Sequence, residues 1–279
     1  MTQCENKYSW NLLILVAVLL GLLSIIYFYT ILWLVTSWYT DPYYMHGVLI
    51  PFISGFFIWK KRKQLVLNKQ ANILPGVLIL AFSIILYFLG YFFAANFISG
   101  ISLVICIIGI AFIIYGESAR KILFPLCFLI FMVPFPFLEM IGKNLQFVSA
   151  QISALILKIF YAQTEISGAI ILIGEHSFMV APSCSGISSI ISLLAIVTLL
   201  TYFIKCEIYK KIFLIAIVIP VALFTNSLRI VMTVFGVKYY GEVVISPLFH
   251  GLFNVVFFII SIILVFLCIK FLRCKIKKE

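Results

Sequence analysis

The sequence predicts an all-α polytopic membrane protein of about eight transmembrane helices. Of its 279 residues, 65% are hydrophobic and only 10% are charged, where a soluble domain is about 45–50% apolar and about 25% charged. The apolar residues come in runs of bilayer-spanning length, separated by short polar breaks. A water-soluble globule of this composition would expose far too much apolar surface, and intrinsic disorder is excluded on the same ground. The third observation is the placement of the basic residues, taken up below.

A spanning helix needs about 20 apolar residues. The runs fall at 11–37, 43–59, 73–93, 97–115, 122–138, 184–204, 212–235 and 250–272. The second and fifth are the shortest, with Pro51 in one and Pro125, Pro134 and Pro136 in the other. Proline is tolerated in a membrane helix when neighbours satisfy the freed carbonyls. The first run is too long for a signal peptide and no small-residue cleavage site follows it, so it reads as a retained span. No internal repeat or low-complexity linker divides the chain, and 1–279 reads as a single integral-membrane domain.

The net charge of +11 is a topology signal. With the N-terminus inside, only Lys143, Lys158, Arg229 and Lys238, four of the 20 Lys and Arg, fall on the outer side. The positive-inside rule therefore puts both termini in the cytosol. The basic excess faces anionic lipid and implies no nucleic-acid partner.

One loop, 139–183, is longer than the rest. Ile141, Leu145, Val148, Ile152, Leu155 and Ile159 recur at spacings of four and three, the mark of one helical face. This predicts an amphipathic helix lying on the outer leaflet or capping the bundle. Lys143, Asn144, Gln146, Gln151 and Ser153 lie largely off that stripe and argue against a ninth span. Residues 164–180 are β-prone, and Gly174-Glu175-His176-Ser177 suits a short hairpin turn before span six.

Polar residues inside hydrocarbon are costly, and each is a functional hypothesis. The first cluster is Ala181-Pro182-Ser183-Cys184-Ser185-Gly186 at the outer start of span six. Ser183 suits an N-cap, which would set Cys184 in the first helical turn. There the macrodipole favours a thiolate, and free N–H groups could hold an oxyanion. Gly186 would allow close backbone approach. Cys184 could equally be an ordinary buried small hydrophobe. Of the seven cysteines it alone lies at the outer face, so it has no partner there for a disulfide. The second cluster is Asn226-Ser227-Leu228-Arg229 in span seven; Arg229 is either a buried polar group or a snorkelling one. The third is Phe249-His250-Gly251, with Asn254 one turn further on the same face. The topology brings Cys184, Arg229 and His250 to consecutive spans near one face: a thiol nucleophile, a proton carrier and a guanidinium for an oxyanion or carboxylate. His46, at the start of span two, is a further candidate for the same cavity.

At these residues the sequence resembles the exosortase/archaeosortase family of integral-membrane cysteine transpeptidases. The matching segments are 181–189 (APSCSGISS), 226–230 (NSLRI), 249–251 (FHG), and 46–51 (HGVLIP) followed by Trp59 and a basic cluster. The likeness runs from about residue 40 to about residue 270. It implies that Cys184, Arg229 and His250 are catalytic, supported by Asn226, Ser183, Ser185, Gly186 and His46. It implies, as partners, secreted proteins with a C-terminal tripartite signal: a short motif, one span and a basic tail. The enzyme would cut near the motif on the extracytoplasmic side of the cytoplasmic membrane. It would pass the new C-terminus through a Cys184 thioester to an envelope acceptor, expected to be a lipid. No cofactor or metal is implied; no HExxH occurs, and His46, His176, His250 and Asp41 lack metal-ligand spacing. Two alternatives stay open: a membrane cysteine protease with water as acceptor, and a polytopic transporter lined by Arg229, Asn226 and His250.

The charge pattern predicts the outcome of reporter fusions. Green fluorescent protein inserted after Lys63 or Lys211 should fluoresce, and alkaline phosphatase inserted after Glu175 should be active. The reverse pattern would invert the topology.

Overall fold

The computed structural model describes residues 21–66 and 73–276, so residues 11–20 of the expected first span lie outside the described residues. The chain divides into two compact units, Met1–Pro134 and Phe135–Glu279, where the sequence shows no linker.

The first unit contains α1 (Phe28–Thr40), α2 (Leu49–Lys61), α3 (Leu74–Phe92), α4 (Asn96–Tyr115) and the short α5 (Leu123–Phe128). Its frame is the α3–α4 hairpin, closed by Ala94 in the left-handed region (φ 51°). The buried positions of α3 are Gly76, Ser83 and Gly90, seven residues apart and therefore on one narrow seam. Bulky residues such as Phe82, Ile85 and Phe88 point outward and are exposed. This inverts the soluble pattern: small residues let backbones approach closely, while large apolar ones suit lipid. A Cβ on Gly76 would lie 2.7 Å from the backbone nitrogen of Ile113, and one on Gly109 would lie 3.0 Å from that of Leu80. Two polar side chains pair within the unit across long stretches of sequence. The Ser102 hydroxyl donates to the Tyr27 hydroxyl at 3.2 Å, and the Trp38 indole donates to the Met132 carbonyl at 2.8 Å.

Two expected spans take another form. Residues 43–59 do not make one helix: a 3-10 turn, Met45–Val48, precedes α2, whose 13 residues extend about 20 Å against a hydrocarbon core of about 30 Å. Residues 122–138 break into α5, a 3-10 turn at Leu129–Met132 and an extended Val133. Pro134 and Pro136 supply the reason, since each lacks an N–H and pushes the residue before it out of the helical region. Among the described residues, four helical stretches are long and apolar enough to cross a membrane: Leu74–Phe92, Asn96–Met132, Ile208–Tyr240 and Gly251–Phe271.

The second unit contains α6 (Leu138–Phe160), strands β1 (Thr164–Ser167), β2 (Ile170–Ile173) and β3 (His176–Met179), then α7 (Ile187–Phe203) and β4 (Ile204–Lys205). It continues with α8 (Ile208–Ala216), α9 (Val218–Tyr240), α10 (Pro247–Phe271) and β5 (Lys275–Ile276). The strands form an antiparallel meander in the order β1-β2-β3, with Ile171 opposite Phe178 and Ile173 opposite His176. One face of the meander, carrying Ile171, Ile173 and Val180, packs on Ala150, Ala154 and Leu157 of α6 and on Ile230 and Val234 of α9. A second core joins Leu193 and Val197 of α7, Leu214 of α8, Ala222 of α9 and Val265 of α10. The ends of α7 and α10 are tied by the β4–β5 ribbon and a Cys206–Cys274 disulfide closing 68 residues of chain.

Helix α6 forms, and the face it packs is one of small residues. Ser149, Ala150, Ser153, Ala154 and Leu157 are buried, whereas Leu155 and Ile159 of the apolar stripe are 68% and 78% exposed. The small-residue face admits α9 at close range. The large apolar stripe is left outward, which is compatible with the expected helix on a leaflet and not with one whose stripe caps the bundle.

The α3–α4 seam predicts a strong asymmetry between glycines. Gly76→Leu should overpack the hairpin, costing about 1–3 kcal/mol, and lower the thermal unfolding midpoint in detergent. Gly55→Leu, where nothing lies within 4 Å of the added Cβ, should leave the midpoint unchanged.

Candidate active site

Helix α9 carries three adjacent polar side chains into the second unit: Asn226, Ser227 and Arg229 are 4%, 0% and 6% exposed. Each is met by a polar group from another element. The Asn226 amide donates to the Cys184 carbonyl at 2.7 Å and to the Ser149 hydroxyl at 3.1 Å. Ser149 donates in turn to the Ser185 carbonyl at 3.3 Å, and Gln146 donates to the Val180 carbonyl at 2.6 Å. Ser153 donates to the Ser227 carbonyl at 3.2 Å. The stretch 180–185 is thus pinned by side chains of α6 and α9, with no regular ladder of its own.

Cys184 ends a 3-10 turn, Pro182–Cys184. It does not open α7, as the sequence suggested. That helix starts at Ile187 with Gly186 as its N-cap, so Ser183 is not the cap. Gly186 has φ +83°, and a Cβ there would lie 3.1 Å from the Asn226 side chain. Both the left-handed backbone and the close approach require glycine. The expected oxyanion donors at this helix start are also occupied. The N–H of Cys184 is taken by the Ala181 carbonyl at 2.8 Å, and that of Ser185 by the Pro182 carbonyl at 3.1 Å.

The free donor lies elsewhere. Cys184 is unpaired and half-buried, and it lines one cavity together with Arg229. Arg229 Nη1 donates to Asn254 Oδ1 on α10, and the Arg229 carbonyl accepts from Thr233 at 2.9 Å. Arg229 Nη2 is buried without a hydrogen-bond partner, as is Asn226 Oδ1. No carboxylate pairs with Arg229 among the described residues. A buried cation left without an anion is expensive, so this site is built to receive negative charge. A cavity of about 240 Å³ opens onto Cys184 and Arg229. It is lined further by the β3 segment and by Thr233, Val234 and Val237 of α9.

Of the residues singled out from the sequence, Cys184, Ser185, Gly186, Asn226 and Arg229 come together here. His250 lies in the first turn of α10, one turn before Asn254; its side chain and that of Ser183 lie outside the described residues. His46 belongs to the first unit, in the 3-10 turn, where it stacks on Tyr44. Sequence reasoning missed Ser149 and Gln146 as partners of the site, and Asn254 as the anchor of Arg229. The available signal was the pair Ser149 and Ser153, four residues apart on one face of α6.

A family model described as transmembrane exosortase matches residues 38–267, which takes in every element of this site. The chain belongs to the transmembrane exosortase family. Members are multi-pass, membrane-embedded, cysteine-type processing enzymes that act on secreted proteins with C-terminal signals. Comparison with curated proteins and with solved structures gives no match. In this exosortase the turn bearing Cys184 hangs on Asn226, and Gly186 is the position with least latitude. Gly186→Ala should cost about 1–3 kcal/mol through the forced left-handed backbone alone, lower the unfolding midpoint, and change the rate at which a small maleimide labels Cys184. Unchanged labelling and midpoint would show that the turn is not held as described.

Proposed function

We propose that this exosortase is a cysteine transpeptidase of the extracytoplasmic membrane face. It cuts the C-terminal sorting signal of exported proteins and transfers the new C-terminus to an envelope acceptor, a lipid. The observation that carries this reading is Arg229: a buried guanidinium with no carboxylate partner, lining one cavity with a free cysteine. The topology that goes with it has eight crossings of the cytoplasmic membrane, two of them made by the interrupted segments 43–59 and 122–138, with both termini in the cytosol and the Cys184 cavity outside; the distribution of basic residues supports it.

The chemistry follows from the residue types. Cys184 Sγ attacks the scissile carbonyl carbon, forming a C–S bond and placing negative charge on the carbonyl oxygen. Arg229 Nη2, unpartnered in the resting site, donates to that oxyanion. Nη1 stays on Asn254 and fixes the plane of the fork. The tetrahedral species collapses by breaking the C–N bond, and the leaving amine takes a proton from His250. A nucleophilic group of the acceptor then loses its proton to His250 and attacks the thioester, and the C–S bond breaks to restore the thiolate. The place of His250 one helical turn before Asn254 supports this role, since positions four apart share a helix face.

Two variants and one product assay test the reading. With an exported protein ending in a short motif, one span and a basic tail as substrate, Cys184→Ala should abolish processing. Arg229→Lys should lower kcat by about 10²–10³, the usual cost of losing an oxyanion donor, because an ammonium cannot hold Asn254 and the oxyanion together. Mass spectrometry of the product should show a C-terminus conjugated to the acceptor. A free carboxylate would make the enzyme a hydrolase, and full processing by Cys184→Ala would remove the nucleophile assignment.

A further inference from the structure

The cavity at Cys184 is lined on one side by the segment 177–181, which contains most of β3. β3 is the last strand of the β1-β2-β3 meander. Its pairing with β2 fixes which backbone groups are free. Ile173 pairs with His176 across the two-residue turn Gly174-Glu175, and Val180 N–H donates to the Ala169 carbonyl at 2.9 Å. In an antiparallel ladder the bonded and non-bonded positions alternate. His176, Phe178 and Val180 therefore turn their amides toward β2, while Ser177 and Met179 turn theirs away from it. Ser177 and Met179 are exposed, and both line the cavity together with Val180 and Ala181.

The opposite wall is one face of α9. Arg229, Ile230, Thr233, Val234 and Val237 all line the cavity, and they recur at helical spacing over about 12 Å of axis. From residue 177 to residue 181 the strand side extends about 13 Å. The groove is thus long enough for about four extended residues. Its walls are apolar apart from Ser177, Thr233 and the catalytic pair at one end. An unpaired strand edge is a template for another extended chain, and adding a strand to such an edge is a general mode of peptide recognition.

We propose that the stretch of substrate preceding the scissile carbonyl binds here as a fourth strand, pairing its backbone with Ser177 and Met179 of β3. The inference rests on the transpeptidase reading above and deepens it: recognition is of extended backbone first, with small or apolar side chains accepted along α9. The occupant is a peptide because both ends of the argument require one. The edge offers alternating N–H and C=O groups, which only an extended backbone answers in register. The inner end holds a thiol and a guanidinium, which answer a carbonyl. The groove runs from Arg229 toward the C-terminal end of α9. In the proposed topology that end is the outer one, from which an exported chain enters the membrane.

Peptidyl chloromethyl ketones test this without a known substrate. The Cys184 thiolate displaces chloride from the probe, forming an S–CH2 bond while the thiol proton goes to solvent. The full-length protein in detergent is treated with acetyl-alanyl chloromethyl ketone, its tetra-alanyl counterpart, and tetra-alanyl probes methylated at one backbone nitrogen at a time. Modification of the Cys184 peptide is followed by mass spectrometry. The tetrapeptide should react at least tenfold faster than the single residue. Methylation should remove that gain at alternate nitrogens only, the period of two that a strand edge imposes. Met179→Pro, which deletes one outward N–H and leaves the β2 pairing intact, should reduce the gain as well; where that variant fails to fold, the methylation series decides alone. Equal rates for all probes, or a length effect with no alternation, would overturn strand pairing and leave an acyl chain of the acceptor as the occupant. No reaction of Cys184 with any probe would instead overturn the nucleophile assignment, and the docking with it.

Discussion

The candidate site depends on one hydrogen bond more than any other: the Asn226 amide to the Cys184 carbonyl. The turn bearing the thiol belongs to no helix and to no strand. In a membrane protein such a stretch has little water to satisfy its backbone, so protein groups must do it. Asn226 supplies one partner from α9, and Ser149 and Gln146 supply two from α6. Gly186 then becomes obligatory, because the side chain that holds the carbonyl also fills the space where a Cβ would stand. The turn, α6 and α9 are thus held together at one point by side chains of Asn226, Ser149 and Gln146.

The same economy explains why the polar residues cluster. An amide or hydroxyl buried in an apolar unit must be paired, and pairing is cheapest among other misplaced polar groups. Ser149, Ser153, Asn226 and Ser227 form such a set and leave few atoms unsatisfied. Arg229 Nη2 and Asn226 Oδ1 are the exceptions. An orphaned donor and an orphaned acceptor thus lie three residues apart on one helix, next to the turn that bears Cys184. The guanidinium is tied by one nitrogen to Asn254 and left open at another; in the proposed mechanism this preorganises it for charge that arises during reaction.

Much of the site was legible in one dimension. Cys184, Asn226, Arg229 and His250 stand out because each violates an otherwise apolar chain, and such violations can be read without coordinates. The turn around Cys184 was less legible. Ser183 followed by a serine-rich apolar run reads as a helix start, yet the helix begins three residues after Cys184 because Gly186 takes the left-handed cap. Helix α6 shows the deeper difficulty. Its large apolar stripe has ideal helical spacing and faces outward, while the packed face is built from Ser149, Ala150, Ser153 and Ala154.

Sequence by itself determined that this chain lives in a bilayer, and it singled out the few polar residues that stand as candidates for the site. Those are properties of composition and spacing, summed along the chain. Tertiary structure decided which face of each helix packs, that Cys184 rides on a turn, and that residues of β3 and α9 line one cavity with the thiol. The reason is physical. Lipid tails are as apolar as leucine, so a hydrophobic stripe in a membrane does not tell inside from outside. Small residues and buried hydrogen bonds make that choice, and their partners are distant in sequence.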